Sequence, residues 1–302
     1  MSVAQLTPRQ KREYRAAYLM IAPMVVGIVV FFIIPTIWSI YLSFTEGPDY
    51  VTYSFVGIKN YLTLLSSGSD MWQELLNTFY YAFVSVALSM VISVLLANAL
   101  NKDIKCRSLF RVIYFLPSVT MAAAIGMVWR SLLNSQYGIV NQALKAIGIA
   151  GPKWLTDPNF MMLGVIIVGV WSSAGYNMII LLAGLKNIPR VYYEAAEIDG
   201  ANARQQFFHI TVPMVSPTLF FVVLMRTMTS LKQFDTVYLL VPARTNPAYR
   251  SAATLMTVFY REAFEKLNRG YASAIVVFSF VLISIFTVIQ LVAEKKLVHY
   301  DT

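Results

Sequence analysis

Apolar residues along this chain gather into long runs without charged residues, separated by polar connections. About 20 helical residues cross a hydrocarbon layer of about 30 Å, so a run of that length predicts a membrane-spanning helix. A sixth, shorter run resumes beyond Arg226 and can span if that arginine is tolerated. We therefore predict an all-α membrane protein with six transmembrane helices. The approximate spans are residues 18–44, 75–100, 110–131, 160–185, 210–232 and 271–293.

Lysine and arginine are distributed unevenly among the segments that flank the spans. The N-terminal tail 1–17 and the second connection are rich in them, with Arg9, Lys11, Arg12, Arg15, Lys102, Lys105, Arg107 and Arg111. The first connection has Lys59 as its only basic residue, against four acidic residues. The positive-inside rule places both termini in the cytoplasm, including the tail 295–302. The connection 186–209, between the fourth and fifth spans, is then cytoplasmic as well.

The composition adds limits to this picture. Only 13% of the 302 residues are charged, and the mean hydropathy is +0.61. The net charge of +9 lies largely where membrane topology and anionic lipid account for it, so no nucleic-acid partner is implied. The first span is too long for the core of a cleaved signal peptide and contains Pro23 and Pro35, so we expect it to stay in the membrane. The single Cys106 cannot form an intramolecular disulfide.

Motifs for catalysis and metal binding are missing from the sequence. There is no Gly-rich loop ending in Gly-Lys-Ser or Gly-Lys-Thr, so the chain has no ATP-binding loop of the usual kind. His209 and His299 are the only histidines, and neither lies in a His-Glu-x-x-His motif. We expect no catalytic residue, no metal and no cofactor on this chain.

Polar residues inside the predicted spans are costly in lipid and usually face a cavity or another helix. Ser173 and Asn177 lie four residues apart and share a helix face, so they either bond neighbouring helices or line a transport path. Arg226 either snorkels outward, pairs with Asp235 or lines the path. The candidates for the path are Ser118, Ser173, Tyr176, Asn177 and Arg226.

Two further features inside the spans have alternative interpretations. Pro117 and Gly175 are candidate kink positions, and interrupted helices often mark transport paths, although membrane helices also tolerate such residues. Several aromatic residues favour interfacial belts over platforms for stacking sugars, namely Trp38, Tyr41, Trp72, Tyr80, Trp129 and Trp154.

The cytoplasmic connection reads NIPRVYYEAAEIDGANARQQFFHITVP and has the pattern of an amphipathic helix. Pro189 suits its first turn, and Gly200 ends or bends it before a second short helix. Spacings of three and four place one apolar stripe on it, made of Ile188, Val191, Ala195 and Ile198. An anionic leaflet would repel its three acidic residues, Glu194, Glu197 and Asp199, so a protein groove is the better partner.

The same connection matches, with one departure, a motif of Glu-Ala-Ala, three residues, Gly, nine residues, then Ile-x-Leu-Pro. Its positions are Glu194, Ala195, Ala196, Gly200, Ile210 and Pro213, with Val212 where the motif has Leu. With this spacing the chain resembles the permease subunits of binding-protein-dependent ABC importers. Stretches such as YFLPSVTMAAAIGMVW, WSSAGYNMIILLAGLKNIP and FDTVYLL resemble the carbohydrate branch, which includes multiple-sugar and glycerol-phosphate permeases. The segment 241–255 departs from that branch, which often has a Thr-Gly-Gly-Pro-like turn there.

This resemblance implies a type I ABC importer permease fold in an inner membrane. It implies that Glu194, Ala195, Ala196, Asp199 and Gly200 form a coupling helix that sits in a cleft of a separate ATPase subunit. The expected partners are a sister permease in a heterodimer, two ATPase subunits that use ATP and Mg, and an extracytoplasmic solute-binding protein. The expected substrate is a sugar or oligosaccharide.

Two other functions remain as alternatives. A self-sufficient, ion-coupled secondary transporter would need acidic residues within the membrane, and the predicted spans contain none. A membrane subunit with a structural role and no transport function is the second alternative.

Overall fold

The computed structural model describes residues 7–47, 53–66, 71–241, 246 and 248–297. Within them the chain is mainly helical, with one two-stranded antiparallel sheet of β1 (Thr45–Glu46) and β2 (Ser54–Phe55). The chain divides into two compact units, of which the first comprises residues up to Leu64 together with Glu262–Val277. The second comprises Leu65–Arg261 and Phe278 onward.

The first unit begins with a long apolar helix. α1 (Pro8–Ile28) continues through a π-helical turn, Val29–Ile33, into α2 (Ile34–Leu42). The turn precedes Pro35, which lacks the amide that the helical ladder requires. The β1–β2 hairpin and α3 (Lys59–Leu65) follow.

A buried amide ties the hairpin to α3 in the first unit. Asn60 is 7% exposed and donates from Nδ2 to the carbonyl oxygens of Ser43 and Thr45, each at 2.9 Å. The Tyr61 hydroxyl donates to Ser43 Oγ at 2.7 Å. The two Asn60 bonds therefore satisfy one carbonyl at the C-cap of α2 and one in β1.

The second unit holds the remaining helices, and the last of them starts in the first unit. In chain order they are α4 (Met71–Asn101), α5 (Arg107–Val119), α6 (Ala122–Leu132), α7 (Ile139–Ala146), α8 (Pro158–Lys186), α9 (Arg190–Ile198), α10 (Ala203–Gln206), α11 (Val212–Leu231), α12 (Asp235–Leu240), α13 (Tyr249–Ala252), α14 (Leu255–Tyr260) and α15 (Arg269–Leu297). π-helical turns at Phe207–Thr211 and Arg261–Glu265 follow α10 and α14.

The helix α8 forms the centre of the second unit, because its buried residues contribute to two apolar clusters. Met161 and Val165 pack in a cluster with Tyr81 of α4, while Met178 and Leu181 pack in another cluster with Val215 of α11. α4 contacts α8 through small polar residues as well as apolar ones. For example, Ser93 donates from Oγ to the Ala174 carbonyl at 3.0 Å.

Among the residues that the structure describes, five helical segments are long and apolar enough to cross a membrane: Pro8–Leu42, Met71–Asn101, Pro158–Lys186, Ala203–Leu231 and Arg269–Lys296. α5 and α6 together form a sixth candidate, but they are bent by 102°. The predicted third span, 110–131, is therefore broken rather than straight. Where the membrane begins and ends on each helix remains a prediction.

The break in the third span follows Pro117, one of the two candidate kink positions. The helix ends at Val119, and Thr120 is extended with φ −81° and ψ 142°. Gly175 does not interrupt α8, which continues as an α-helix to Lys186. Its role is close packing, because a Cβ on Gly175 would lie 1.7 Å from the Tyr114 carbonyl oxygen of α5.

Candidate functional site

The helix α9 contains the Glu-Ala-Ala motif and ends where the sequence predicts. Pro189 is its N-cap, with extended backbone, and Asp199 is its C-cap. Gly200 follows with φ +75°, a left-handed conformation that favours glycine. Gly200 N donates to the Glu197 carbonyl at 3.0 Å and Ala201 N donates to the Ala196 carbonyl at 2.8 Å. This pair of bonds is the Schellman helix end.

The apolar stripe on α9 is largely exposed. Val191 is 62% exposed and Ile198 is 87% exposed, and Ala195 between them is also exposed. Ile188, the first member of the predicted stripe, is instead 8% exposed. It packs in the apolar cluster that contains Met178 and Leu181 of α8 and Val215 of α11, called here the α8–α11 cluster. The three exposed residues form an apolar surface on which a partner protein can dock.

Two acidic residues of α9 line a cavity next to the helix. They are Glu194 and Glu197, and the cavity has a volume of about 660 Å³. Its other walls are the C-terminal ends of α4 and α8, the residues between α4 and α5, the first residue of α5, and α10. Lys102, Arg107 and Lys186 are among the lining residues. Of the predicted coupling residues, Glu194 lines this cavity, and Ala195, Ala196, Asp199 and Gly200 are not among its lining residues. Ala196 is half-buried, and the other four are exposed.

The segment after Gly200 differs from the predicted second short helix. Asn202 caps α10 through a reciprocal pair of bonds with Gln205, at 3.0 and 2.8 Å. α10 then continues through the π-helical turn into α11, so that Ala203–Leu231 is one helical segment. Sequence reasoning missed Asn202, although Asn-x-x-Gln before a helix is a recognisable capping signal.

A hydrogen bond joins α9 to the start of this long helix. The hydroxyls of Tyr193 and Thr211 lie 2.9 Å apart, and Thr211 is only 5% exposed. Tyr193 also packs against the α8–α11 cluster. α9 is therefore attached to the π-helical turn by a partly buried polar contact, which no sequence pattern indicated.

The predicted path residues on α5 and α8 occupy different environments. Ser118 donates to the Phe115 carbonyl at 2.7 Å, and Ser173 donates to the Gly169 carbonyl at 2.8 Å. Both hydroxyls thus bond within their own helices rather than between helices. Tyr176 is 52% exposed. Asn177 is 4% exposed, and its Nδ2 has no hydrogen-bond partner in the described part of the chain.

Arg226 points into the helical unit, which corrects the expectation that it snorkels outward or pairs with Asp235. The residue is 9% exposed, and its Nη2 donates to the Gly169 carbonyl on α8 at 3.3 Å. Over the residues that the structure describes, it forms no ion pair. The Tyr81 hydroxyl lies beside its guanidinium.

A polar cluster surrounds Arg226 where α4, α8 and α11 meet. The Tyr81 hydroxyl donates to Gln233 Oε1 at 3.1 Å, and the hydroxyls of Ser85 and Ser230 lie 3.3 Å apart. Sequence reasoning singled out Arg226 but missed Tyr81, Ser85 and Gln233. Their participation depends on which helices are neighbours, and an amino-acid pattern does not contain that information.

A small cavity of about 180 Å³ lies beside this cluster, at the broken span. The start of α6 forms one wall, and Val168 and Ser172 of α8 form another. Gln233 and Asp235 complete the lining together with Thr236. The cavity therefore combines hydroxyl, amide and carboxylate groups, which can bond the hydroxyls of a polar solute.

Two of the predicted interfacial tryptophans make contacts within the chain. Trp129 packs edge to face on Trp171, with ring centroids 5.4 Å apart. Trp154 donates from Nε1 to Asn141 Oδ1 at 2.7 Å. Both tryptophan side chains therefore help to hold neighbouring segments of the chain together.

The described part of the atypical segment 241–255 is folded onto the second unit. Asn246 donates from Nδ2 to the Leu155 carbonyl at 3.0 Å, and Ala248, Ala252 and Leu255 are buried. Residues 242–245 and 247 of this segment lie outside the described residues. The described part is thus held against α8 and α4 rather than extended as an open loop.

Comparison with known proteins supplies independent information on the family. Residues 89–299 match the family of binding-protein-dependent transport system inner membrane components. The trehalose/maltose transport system permease protein MalF of Thermococcus litoralis is 32% identical over 288 residues, 95% of this chain and 96% of the relative. The lactose transport system permease protein LacF of Rhizobium radiobacter is 33% identical over 291 residues, 95% of this chain and 96% of the relative.

Solved structures with the same fold belong to a bacterial ABC transporter that imports the acidic polysaccharide alginate. One chain superposes with a TM-score of 0.83 at 23% identity, covering 96% of this chain and 98% of the other. A second, from that transporter in complex with an alginate pentasaccharide-bound periplasmic protein, gives a TM-score of 0.82 at 24% identity, over 95% and 96% of the two chains. At these identities the likeness establishes the fold.

Proposed function

Because the chain belongs to the family of binding-protein-dependent transport system inner membrane components, we propose that it is the permease subunit of an ATP-driven importer of a sugar or oligosaccharide. The relatives named for trehalose and maltose or for lactose support a carbohydrate substrate. Family membership favours this function over an ion-coupled secondary transporter and over a subunit without a transport role.

The observation that carries the proposal is the exposed apolar stripe on α9, with Val191 and Ile198 uncovered. Burial of one such side chain is worth about 1.5–3 kcal/mol, so a cleft that covers both gains binding energy from the stripe alone. In this proposal the cleft belongs to a separate ATPase subunit, since the chain has no ATP-binding loop of the usual kind. ATP and Mg are used there.

Coupling requires that movement of α9 reaches the helices that hold the solute. The Tyr193–Thr211 bond attaches α9 to the π-helical turn, and that turn continues into α11. α11 carries Arg226 and Ser230 at its far end, where they meet α4 and α8. Closure of the ATPase pair would then shift α11 relative to α8 and alternate the access to the path between them.

The transport path in this proposal passes the polar cavity at the broken third span. Ser172, Gln233 and Asp235 provide donors and acceptors for sugar hydroxyls there. Ser118 and Tyr176 are partly or largely exposed and remain proposed path residues. Asn177 is buried, so it would contribute only if α8 moves during transport.

The assembly that we propose contains a sister permease, two ATPase subunits and an extracytoplasmic solute-binding protein. Both termini lie in the cytoplasm of a bacterial or archaeal cell with the chain in its inner membrane, as the distribution of Lys and Arg indicates. The described part of segment 241–255 then lies on the external side, where a receptor could contact it.

A matched pair of substitutions tests the docking surface. Ile198→Asp places a carboxylate in the proposed cleft, while Ile147→Asp makes the same change at a residue that is 70% exposed beyond α7. We expect copurification of the ATPase to fall about tenfold or more for Ile198→Asp, since apolar burial is lost and a charge is buried. Ile147→Asp should copurify like the unmodified chain. Equal retention of the ATPase by both variants would contradict the proposal.

A further inference from the structure

Arg226 is a buried cation inside a helix that is apolar enough to span a membrane. It lies five residues before the end of α11 at Leu231, about 8 Å along the helix axis. A long basic side chain near a helix end can reach the membrane surface. The guanidinium instead turns inward and bonds the Gly169 carbonyl of α8. The Arg226 side chain is therefore close enough to the helix end to reach the membrane surface, and yet it points inward.

The charge of Arg226 lacks compensation in the described structure. No carboxylate pairs with it, and its Nε is buried without a hydrogen-bond partner. The Gly169 carbonyl that accepts from Nη2 also accepts from Ser173 Oγ, at 2.8 Å. A buried guanidinium of this kind is unfavourable unless an anion joins it, and inside a membrane span such a residue usually serves a ligand or ion path.

The polar cavity adjoins groups that contact Arg226, although Arg226 itself does not line it. Val168 and Ser172, on the cavity wall, flank the Gly169 carbonyl that Arg226 bonds. Gln233 lines the cavity and accepts a hydrogen bond from Tyr81, whose hydroxyl lies beside the guanidinium. The volume of about 180 Å³ corresponds to about six water molecules and so to a small unit such as one sugar ring.

The neighbouring groups favour an anion near Arg226. Tyr81 and Gln233 are neutral, and because the Tyr81 hydroxyl donates to Gln233 Oε1, the Gln233 side-chain NH2 is the group that can donate to an oxyanion. Asp235 is the acidic residue of the cavity lining, but its side chain is exposed, so solvent screens it. The guanidinium is shielded from that screening by its burial and can bond a carboxylate through two parallel N–H groups.

We propose that Arg226 selects the charge of the transported solute, and that the solute is a sugar bearing an anionic group, a carboxylate or a phosphate. That group would replace the Gly169 carbonyl as the partner of the guanidinium when the sugar ring occupies the cavity. The inference rests on the proposed function and adds a substrate class to it. It gives Arg226 a role in specificity, separate from the attachment of α9 to the ATPase.

The test uses the purified complex with its ATPase and three disaccharide probes of matched size: digalacturonate, a galactobiose phosphate ester and neutral galactobiose. Binding is followed by tryptophan fluorescence, since Trp171 is 44% exposed and adjacent to Ser172 of the cavity. We expect at least one anionic probe to bind about tenfold or more tightly than neutral galactobiose, as a charge-assisted pair of hydrogen bonds allows. Whichever anionic probe binds more tightly shows whether the site prefers a carboxylate or a phosphate.

Three variants separate selectivity from folding. The Arg226→Gln variant should lose the preference for the anionic probe. The Arg226→Lys variant should still prefer the anionic probe but bind it more weakly than the unmodified chain does. Arg130→Gln, the same change at an exposed arginine of α6, should leave the preference unaltered. Equal binding of all three probes, or a preference that persists in Arg226→Gln, overturns the inference while sugar binding itself still supports the proposed function. Binding of no probe, together with failure to copurify an ATPase, counts against both.

Discussion

The left-handed Gly200 provides the sharpest test of the coupling surface, because its conformation can be strained without a steric clash. Its φ is +75°, and a Cβ added there would meet nothing within 4 Å. The cost of Gly200→Ala is therefore conformational, about 1–2 kcal/mol for a residue with a Cβ in the left-handed region. Such a cost lowers the population of the Schellman end of α9 by a factor of about 5–30.

Three glycine variants test how far the left-handed conformation at Gly200 matters for stimulated ATP hydrolysis. Gly200→Ala should reduce receptor- and sugar-stimulated ATP hydrolysis in proteoliposomes, because the end of α9 that we propose to enter an ATPase cleft is less populated. Gly200→Asn should lie between Ala and the unmodified chain, since asparagine tolerates the left-handed region better. Gly148→Ala is the control: Gly148 has φ +80° and equally open surroundings, but it lies beyond α7.

Two results would contradict a role of Gly200 in coupling. If Gly200→Ala supports stimulated hydrolysis as well as the unmodified chain, the helix end is not needed for coupling. If Gly148→Ala is as defective as Gly200→Ala, the defect reflects strain in general rather than the position of α9. Size-exclusion profiles of the variants in detergent distinguish a loss of coupling from a loss of fold.

Two further predictions concern packing and orientation. Gly175→Ala would place a Cβ 1.7 Å from the Tyr114 carbonyl oxygen, so we expect a loss of about 1–3 kcal/mol in stability, read as a lower thermal midpoint in detergent. Gly27→Ala, with nothing within 4 Å inside α1, should be neutral or stabilising, and equal midpoints for the two variants would contradict the close packing of α5 on α8. Cys106 is exposed and is the chain's single cysteine, so a membrane-impermeant maleimide should label it only after the cells are permeabilised. Labelling in intact cells would reverse the assigned topology.

Much of the fold follows from local signals in the sequence. Uncharged runs of sufficient length predicted the helices around residues 75–100 and 160–185, which the structure extends to Met71–Asn101 and Pro158–Lys186. The motif around Gly200 predicted the end of α9 because a left-handed residue and a helix end are local events. The apolar stripe was also predicted, except that Ile188 packs inward.

The remaining features depend on contacts between distant segments. The break after Val119 could not be located from Pro117 alone, because membrane helices often accommodate proline without a bend of 102°. The direction of Arg226 was equally open, since its side chain can reach either the surface or Gly169. The cluster of Tyr81 and Gln233 required knowledge of which helices adjoin.

The π-helical turn Phe207–Thr211 determines which side of α11 meets α8. Such a turn holds one residue more than an α-helical turn, and one residue corresponds to about 100° of rotation about the helix axis. Shortening the chain by one residue there would turn the whole of α11 by that angle and carry Arg226 away from Gly169. The number of residues in this turn therefore sets how the proposed solute path is aligned with the proposed docking surface on α9. A one-residue deletion that leaves every named side chain present would disturb that alignment.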